Sequence, residues 1–153
     1  MRTVKEAKPA IILLVEDDRS SQELTRRALS ESKIRNELRI VEDGEEALAY
    51  LFRRGKYKDP ATSPKPDLLL LDLNLPGVDG RDVLEQIRAD SKLRRMAVVV
   101  LTTSRREEDI LRSYELGCNS FITKPMDINQ FMQVIQALER YWFQIVVLPA
   151  KTE

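Results

Sequence analysis

Three stretches of the chain are apolar without interruption: Ile11–Val15, Leu68–Leu71 and Val98–Leu101. A strand with one solvent face alternates between apolar and polar positions, so continuous runs of this length predict strands buried on both faces. Leu38–Val41 and Ser120–Thr123 are weaker strand candidates. Between the strands the apolar residues take helical spacing. Leu24, Ala28 and Leu29 mark a first helix, Ala47, Leu48 and Leu51 a second, and Val83, Leu84 and Ile87 a third. Ile110, Leu111 and Tyr114 mark a fourth, and Gly117 suits its C-terminal cap. A fifth runs from about Ile128 through Phe131, Ile135 and Leu138 to Trp142. Strictly alternating strands and helices predict an α/β fold, a parallel sheet with helices on both faces. Gly55–Pro66 contains three prolines and is expected to be an exposed loop.

Composition narrows the chemistry. At 153 residues the chain is the size of one domain, expected here as residues 1–143 with an arm at 144–153. Lys and Arg together number 25, as do Asp and Glu, so the net charge is zero. That balance argues against a general basic surface for nucleic acid or anionic membranes. The chain has no histidine, which removes every mechanism that needs an imidazole base, a histidine metal ligand or a phosphohistidine of its own. Cys118 is the single cysteine, so no disulfide forms within the chain, and a reducing, cytoplasmic setting is expected. The apolar runs are far too short to cross a bilayer, and Met1–Pro9 carries no signal-peptide core.

In open α/β sheets ligands bind beyond the carboxyl ends of the strands, where the strand order reverses. The residues in those positions are Glu16, Asp17 and Asp18 after the first strand, Asp72 and Asn74 after the third, Thr102 after the fourth, and Lys124 and Pro125 after the fifth. With a strand order of 2-1-3-4-5, Asp17 and Asp72 face each other across one cleft, with Thr102 and Lys124 on its far wall. Carboxylates held together repel one another and call for a cation. An all-oxygen site suits a hard divalent ion that keeps some of its waters, with Mg²⁺ the expected choice. A carboxylate beside such an ion can attack a phosphoryl group and form an acyl phosphate. Taken alone, an acidic triplet is usually a solvated turn, Thr102 a strand-end cap, Lys124 a surface lysine and Phe121 plain core. Their common position at the strand ends is what promotes them.

Four motifs carry a resemblance: Leu14-Val15-Glu16-Asp17-Asp18, Leu71-Asp72-Leu73-Asn74-Leu75-Pro76-Gly77-Val78-Asp79-Gly80, Leu101-Thr102-Thr103-Ser104 and Phe121-Ile122-Thr123-Lys124-Pro125. In these the chain, over roughly residues 10–140, resembles the receiver domains of two-component response regulators. The resemblance implies a flavodoxin-like (βα)5 fold with strand order 2-1-3-4-5. It implies that Asp72 accepts a phosphoryl group from a sensor histidine kinase, stoichiometrically rather than as an enzyme. It further implies that Asp17 and Asp72 bind Mg²⁺, Glu16 mainly through a metal-bound water and Asn74 through its backbone carbonyl. Thr102 and Lys124 would contact the phosphoryl group, Phe121 would be the aromatic that changes rotamer, and Pro125 would follow a cis peptide bond. The loop Arg54–Pro66, Thr102-Thr103-Ser104 and the ending Tyr141-Trp142-Phe143…Leu148-Pro149 look like the single-domain regulators that partner cyanobacterial and bacterial phytochrome kinases.

Three other readings are open at this point. A receiver-like binding module that never takes phosphate would have little use for Asp17, Asp72, Thr102 and Lys124 together. An aspartyl-phosphate hydrolase typically carries an acid two residues beyond its nucleophile, where this chain has Asn74. A flavodoxin-like electron carrier would need a Gly/Ser/Thr-rich phosphate cradle in place of the acidic first turn.

The segment Tyr141–Leu148 is almost entirely apolar or aromatic, and such an arm avoids water. Because the receiver core is complete before it, Trp142, Phe143, Ile145, Val146 and Leu148 are expected to cover another chain, giving a homodimer. The remaining length leaves no room for a DNA-binding output domain, so signalling through altered protein–protein contact is expected.

Overall fold

The computed structural model describes residues 9–32, 35–102, 120–123, 129, 131–133 and 137. The elements are β1 (Ala10–Val15), α1 (Arg19–Ser30), β2 (Asn36–Val41), α2 (Gly44–Leu51), a 3₁₀ turn (Gly55–Tyr57), β3 (Leu68–Asp72), α3 (Gly80–Ala89), β4 (Ala97–Thr102) and β5 (Ser120–Thr123). The strands form one parallel sheet in the order β2-β1-β3-β4-β5.

The continuous apolar strands take the central places. Leu13, Leu14, Val15, Leu69, Leu70, Leu71, Val98, Val99 and Val100 are all fully buried. Burying each such side chain contributes about 1.5–3 kcal/mol, which is why these runs become the middle of the sheet. On one face Leu13, Val15, Leu69 and Leu71 pack with Ala47, Leu48 and Leu51 of α2 and Val83, Leu84 and Ile87 of α3. On the other, Ile12, Leu14, Leu70 and Val99 pack with Ala28 and Leu29 of α1 and with Phe131, whose neighbours 129, 132, 133 and 137 are also helical. Successive right-handed crossovers thus place α1 on one face and α2 and α3 on the other, and the order reverses between β1 and β3. β2 is an edge strand, and it is longer than its apolar residues suggest. It pairs with β1 from Ala10↔Asn36 to Val15↔Val41, with Glu37 exposed and Asn36 and Arg39 half-buried.

The segment 55–66 is mostly exposed, as expected of a loop, but it is more ordered than its prolines suggest. It contains the 3₁₀ turn, Ser63 and Pro66 are buried, and its carbonyls are claimed by side chains. Tyr50 Oη donates to Pro64 O (2.7 Å), Arg39 Nη1 to Thr62 O (2.8 Å) and Arg53 Nη1 to Ser63 O (3.3 Å). The Tyr57 hydroxyl donates to Glu46 Oε2 at 2.6 Å, and its ring lies 5.0 Å from that of Tyr50. Prolines punctuate this segment, but these contacts fix it against α2 and the β2 edge. The turn out of α2 is a Schellman motif: Arg53 N donates to Tyr50 O and Arg54 N to Ala49 O. Arg53 occupies the left-handed position (φ 57°) where glycine is usual.

The expected fourth helix, around Ile110–Gly117, lies outside the described residues, as do Lys124, Pro125 and the arm residues Trp142, Phe143, Ile145, Val146 and Leu148. Among the described residues no helix is long and apolar enough to cross a membrane.

Candidate metal and phosphoacceptor site

At the carboxyl end of β1 the ladder continues one residue further, with Glu16 N donating to Val41 O (3.0 Å). The Glu16 side chain is fully buried, and its Oε2 accepts from Asp18 N (3.1 Å). Asp17 is exposed. Asp18 caps α1, its Oδ2 accepting from Ser21 N at 2.8 Å.

Asp72 is the last residue of β3 and is 4% exposed. Its Oδ1 accepts from Asn74 N at 2.9 Å, while Leu73 N donates to Leu101 O. The chain then curls through Gly77, at φ +69°, to Asp79, which caps α3 by accepting from Arg81 N (2.8 Å). Gly80 lies directly on the end of β3. A Cβ there would stand 2.3 Å from Asp72 O, so only glycine lets α3 start this close to the acid.

The two strand ends meet as expected. Glu16, Asp17 and Asp72 each offer one carboxylate oxygen, and the three oxygens lie within 4.8 Å of one another. Two of these acids are buried and one is exposed, so the cluster is walled on the protein side and reachable from solvent through Asp17. Repulsion among three carboxylates is relieved by a cation, and an all-oxygen set with open access fits a hard divalent ion. Asn74 stands beside it, with its backbone N–H engaged by Asp72.

Backbone register places two more of the expected residues, Thr102 and Phe121. Thr102 ends β4 opposite Thr123, one residue beyond the level at which Asp72 pairs with Leu101. Phe121 pairs with Val100 in β5.

Gln22 adjoins the site through the Glu16 backbone and carries none of the motif signals. It is 8% exposed, and its Nε2 donates to Glu16 O (2.7 Å) and to Glu42 Oε2 (3.0 Å). The available signal is its spacing. Gln22 and Thr25 share the inward face of α1 with Ala28 and Leu29, and a glutamine on such a face needs hydrogen-bond partners.

The comparisons with known proteins agree with this geometry. The family model described as the response regulator receiver domain matches residues 12–136. The response regulator Rcp1 of Synechocystis sp. (strain PCC 6803) is 44% identical over 142 residues, covering 93% of this chain and 95% of Rcp1. The polar-differentiation response regulator DivK of Brucella anthropi is 30% identical over 129 residues, covering 84% of this chain and 95% of DivK. Among solved structures, the Mn²⁺-bound form of Rcp1 aligns with a TM-score of 0.77 at 44% identity, over 88% of this chain and 94% of that one. The phosphorylated cyanobacterial phytochrome response regulator RcpA aligns with a TM-score of 0.77 at 43% identity, over 90% of this chain and 96% of that one. A parallel sheet that reverses between β1 and β3, a carboxylate cluster at the reversal, and matches over nearly the whole chain place this protein in the response regulator receiver domain family.

Proposed function

We propose that the chain is a phosphorylation-driven switch in which Asp72 accepts a phosphoryl group from a phosphohistidine of a sensor histidine kinase. The observation that carries this is the convergence of the Glu16, Asp17 and Asp72 oxygens within 4.8 Å. Asp17 and Asp72 would hold Mg²⁺ directly, Glu16 through a bound water, and Asn74 through its carbonyl. The ion supplies positive charge against the phosphoryl oxygens. The Asp72 carboxylate supplies the nucleophilic oxygen: its bond to phosphorus forms as the donor's P–N bond breaks, and the electron pair returns to the imidazole. The Asn74 N–H on Asp72 Oδ1 helps to orient the carboxylate for attack. Lys124 and Thr102 would contact the phosphoryl group once it is in place. Phe121 would change rotamer in response, and the bond before Pro125 would be cis.

On this reading the protein is a stoichiometric phosphoacceptor in the cytoplasm, with residues 1–143 as the receiver and 144–153 as an arm. The similarity to Rcp1 and to RcpA supports a phytochrome-type kinase as its donor. Trp142, Phe143, Ile145, Val146 and Leu148 would bury themselves across a homodimer, and the output would be altered binding to a partner protein.

Incubation with acetyl phosphate and Mg²⁺ should add about 80 Da to the intact mass, and Asp72→Asn should abolish the gain. A wild-type chain that gains no mass would instead be a phosphorylation-independent binding module. Full labelling of Asp72→Asn would move the acceptor elsewhere.

A further inference from the structure

We propose that Gln22 is a positioning residue for the acid cluster, acting through the peptide plane that precedes Asp17. The inference rests on the reading of that cluster as a divalent-cation site.

Both acceptors of Gln22 Nε2, the Glu16 carbonyl at 2.7 Å and the Glu42 carboxylate at 3.0 Å, can only accept, so the NH₂ group must face them. The Glu16 carbonyl shares its peptide plane with the Asp17 N–H. The other side of Glu16 is already fixed, because its own N–H donates to Val41 O. Gln22 therefore pins the second end of the residue that delivers Glu16 and Asp17 to the cluster. Gln22 is itself held in the first turn of α1, where its N–H donates to Asp18 O, and its side chain is nearly removed from solvent. Asp17 is exposed, so the peptide plane that carries it has more influence on its direction than side-chain packing does.

The residue type is informative. A lysine or arginine at this position could donate to the same two oxygens, but it would add positive charge beside acids that must attract a cation. A methionine or leucine would fill the space and leave a buried carbonyl without this donor. An uncharged side chain with two donors is what the position requires. The Glu42 contact fastens α1 to the turn after β2. The Glu16 contact is the one that reaches the site.

The test is calorimetric titration of the full chain with Mg²⁺ alone, beside thermal unfolding in metal-free buffer. Wild type, Gln22→Met, Glu42→Ala and Asp17→Ala are compared. Gln22→Met should weaken Mg²⁺ binding about tenfold, the scale typical of groups that orient metal ligands. Glu42→Ala, which removes only the second acceptor, should stay within about twofold of wild type. A purely structural role would lower the thermal midpoint of Gln22→Met and leave its Mg²⁺ affinity alone, and that result overturns the proposal. Equal weakening in Gln22→Met and Glu42→Ala would also overturn it, because the staple to the β2 turn would then be what matters. If Gln22→Met does not fold, Gln22→Ala carries the same comparison without added bulk. A wild-type chain that takes up no Mg²⁺ at millimolar concentration would overturn the metal reading itself, a result distinct from wild-type binding that the Gln22 variants retain.

Discussion

The two ends of the sheet are both rich in charge and use it in opposite ways. At the carboxyl end of the strands, Asp18, Asp43 and Asp79 each cap a helix, their carboxylates accepting from backbone N–H groups of Ser21, Glu46 and Arg81. Glu16, Asp17 and Asp72 are placed differently, since one oxygen of each converges on the same small region. At the other end, Arg53 Nη1 donates to Ser63 O, Lys65 Nζ to Lys92 O, and Arg88 Nη1 to both Arg94 O and Met96 O. There the cations are matched to carbonyls close to where α2 and α3 end, as helix dipoles favour. A cavity of about 380 Å³ also lies at this basic end, lined by Tyr50, Arg53, Lys65, Pro66, Asp90 and Lys92. Size alone would draw attention to it, but its Arg53 and Lys65 already serve carbonyls. Charge density or cavity volume therefore does not distinguish the functional end. What does is like charges brought together, at a cost in repulsion that an added cation relieves.

The sharpest way to break this comparison is to remove a cation from the basic end. Arg88 holds two carbonyls of the turn that leads into β4, at 2.7 and 2.8 Å. Arg88→Met should lower unfolding free energy by about 2–3 kcal/mol, since hydrogen bonds to charged groups are worth about 1.5–3 kcal/mol. Its Mg²⁺ affinity should match wild type. Urea titration and calorimetry together check this, and a loss of Mg²⁺ binding without a loss of stability would erase the contrast between the two ends.

The reverse experiment should give the reverse pattern. Asp17→Ala removes an exposed carboxylate from a cluster of three. Mg²⁺ affinity should fall about tenfold or more, because the site has few direct oxygen ligands to lose. Stability in metal-free buffer should be unchanged or should rise by about 0.5 kcal/mol as like-charge repulsion is relieved. Equal Mg²⁺ affinity in Asp17→Ala and wild type would refute the assignment of Asp17 as a ligand.

The same contrast governs what is legible in the sequence. β1, β3 and β4 are readable because burial on both faces makes a strand continuously apolar. β2 is readable only from Leu38 to Val41: it is an edge strand, and its first residues, Asn36 and Glu37, are polar and meet partial or full solvent. Glu16, Asp17 and Asp72 are readable because strand ends place acids where ligands bind. Gln22 is not, since a glutamine early in an amphipathic helix resembles a solvated residue until the β2–α2 turn closes over it. The order within 55–66 is hidden for a related reason. Its anchors are backbone carbonyls, and acceptors of that kind leave no trace in the side-chain pattern.

The smallest effect is expected where the two ends are joined. Glu46, in the first turn of α2, accepts from the Tyr57 hydroxyl at 2.6 Å and lies 3.6 Å from Lys56 Nζ, so the segment after α2 is tied back toward the acidic end. The Tyr57 hydrogen bond is the main reason the Glu46 carboxyl is held below its usual range, against the opposing effect of burial, with the Glu42 N–H and Lys56 adding to the lowering. Burial first, then the bond to Glu46, pushes the Tyr57 hydroxyl up from its usual value near 10. Tyr57→Phe should cost about 1 kcal/mol at neutral pH, the scale of one hydrogen bond with partial access to solvent. Glu46 has a depressed folded-state pKa, so its contribution is present above the unfolded value of 4.5 and is lost as pH falls through the lower folded value. Tyr57 has a raised folded-state pKa, so its contribution is complete below 10 and is lost only as pH climbs through the higher folded value. The stability gap between wild type and Tyr57→Phe should thus be flat between about pH 5 and pH 9 and should close on acidification below about pH 4.5. Urea midpoints for the two proteins across this range test it. A gap that persists unchanged to about pH 3 would mean the Tyr57 hydroxyl holds the segment independently of the charge on Glu46.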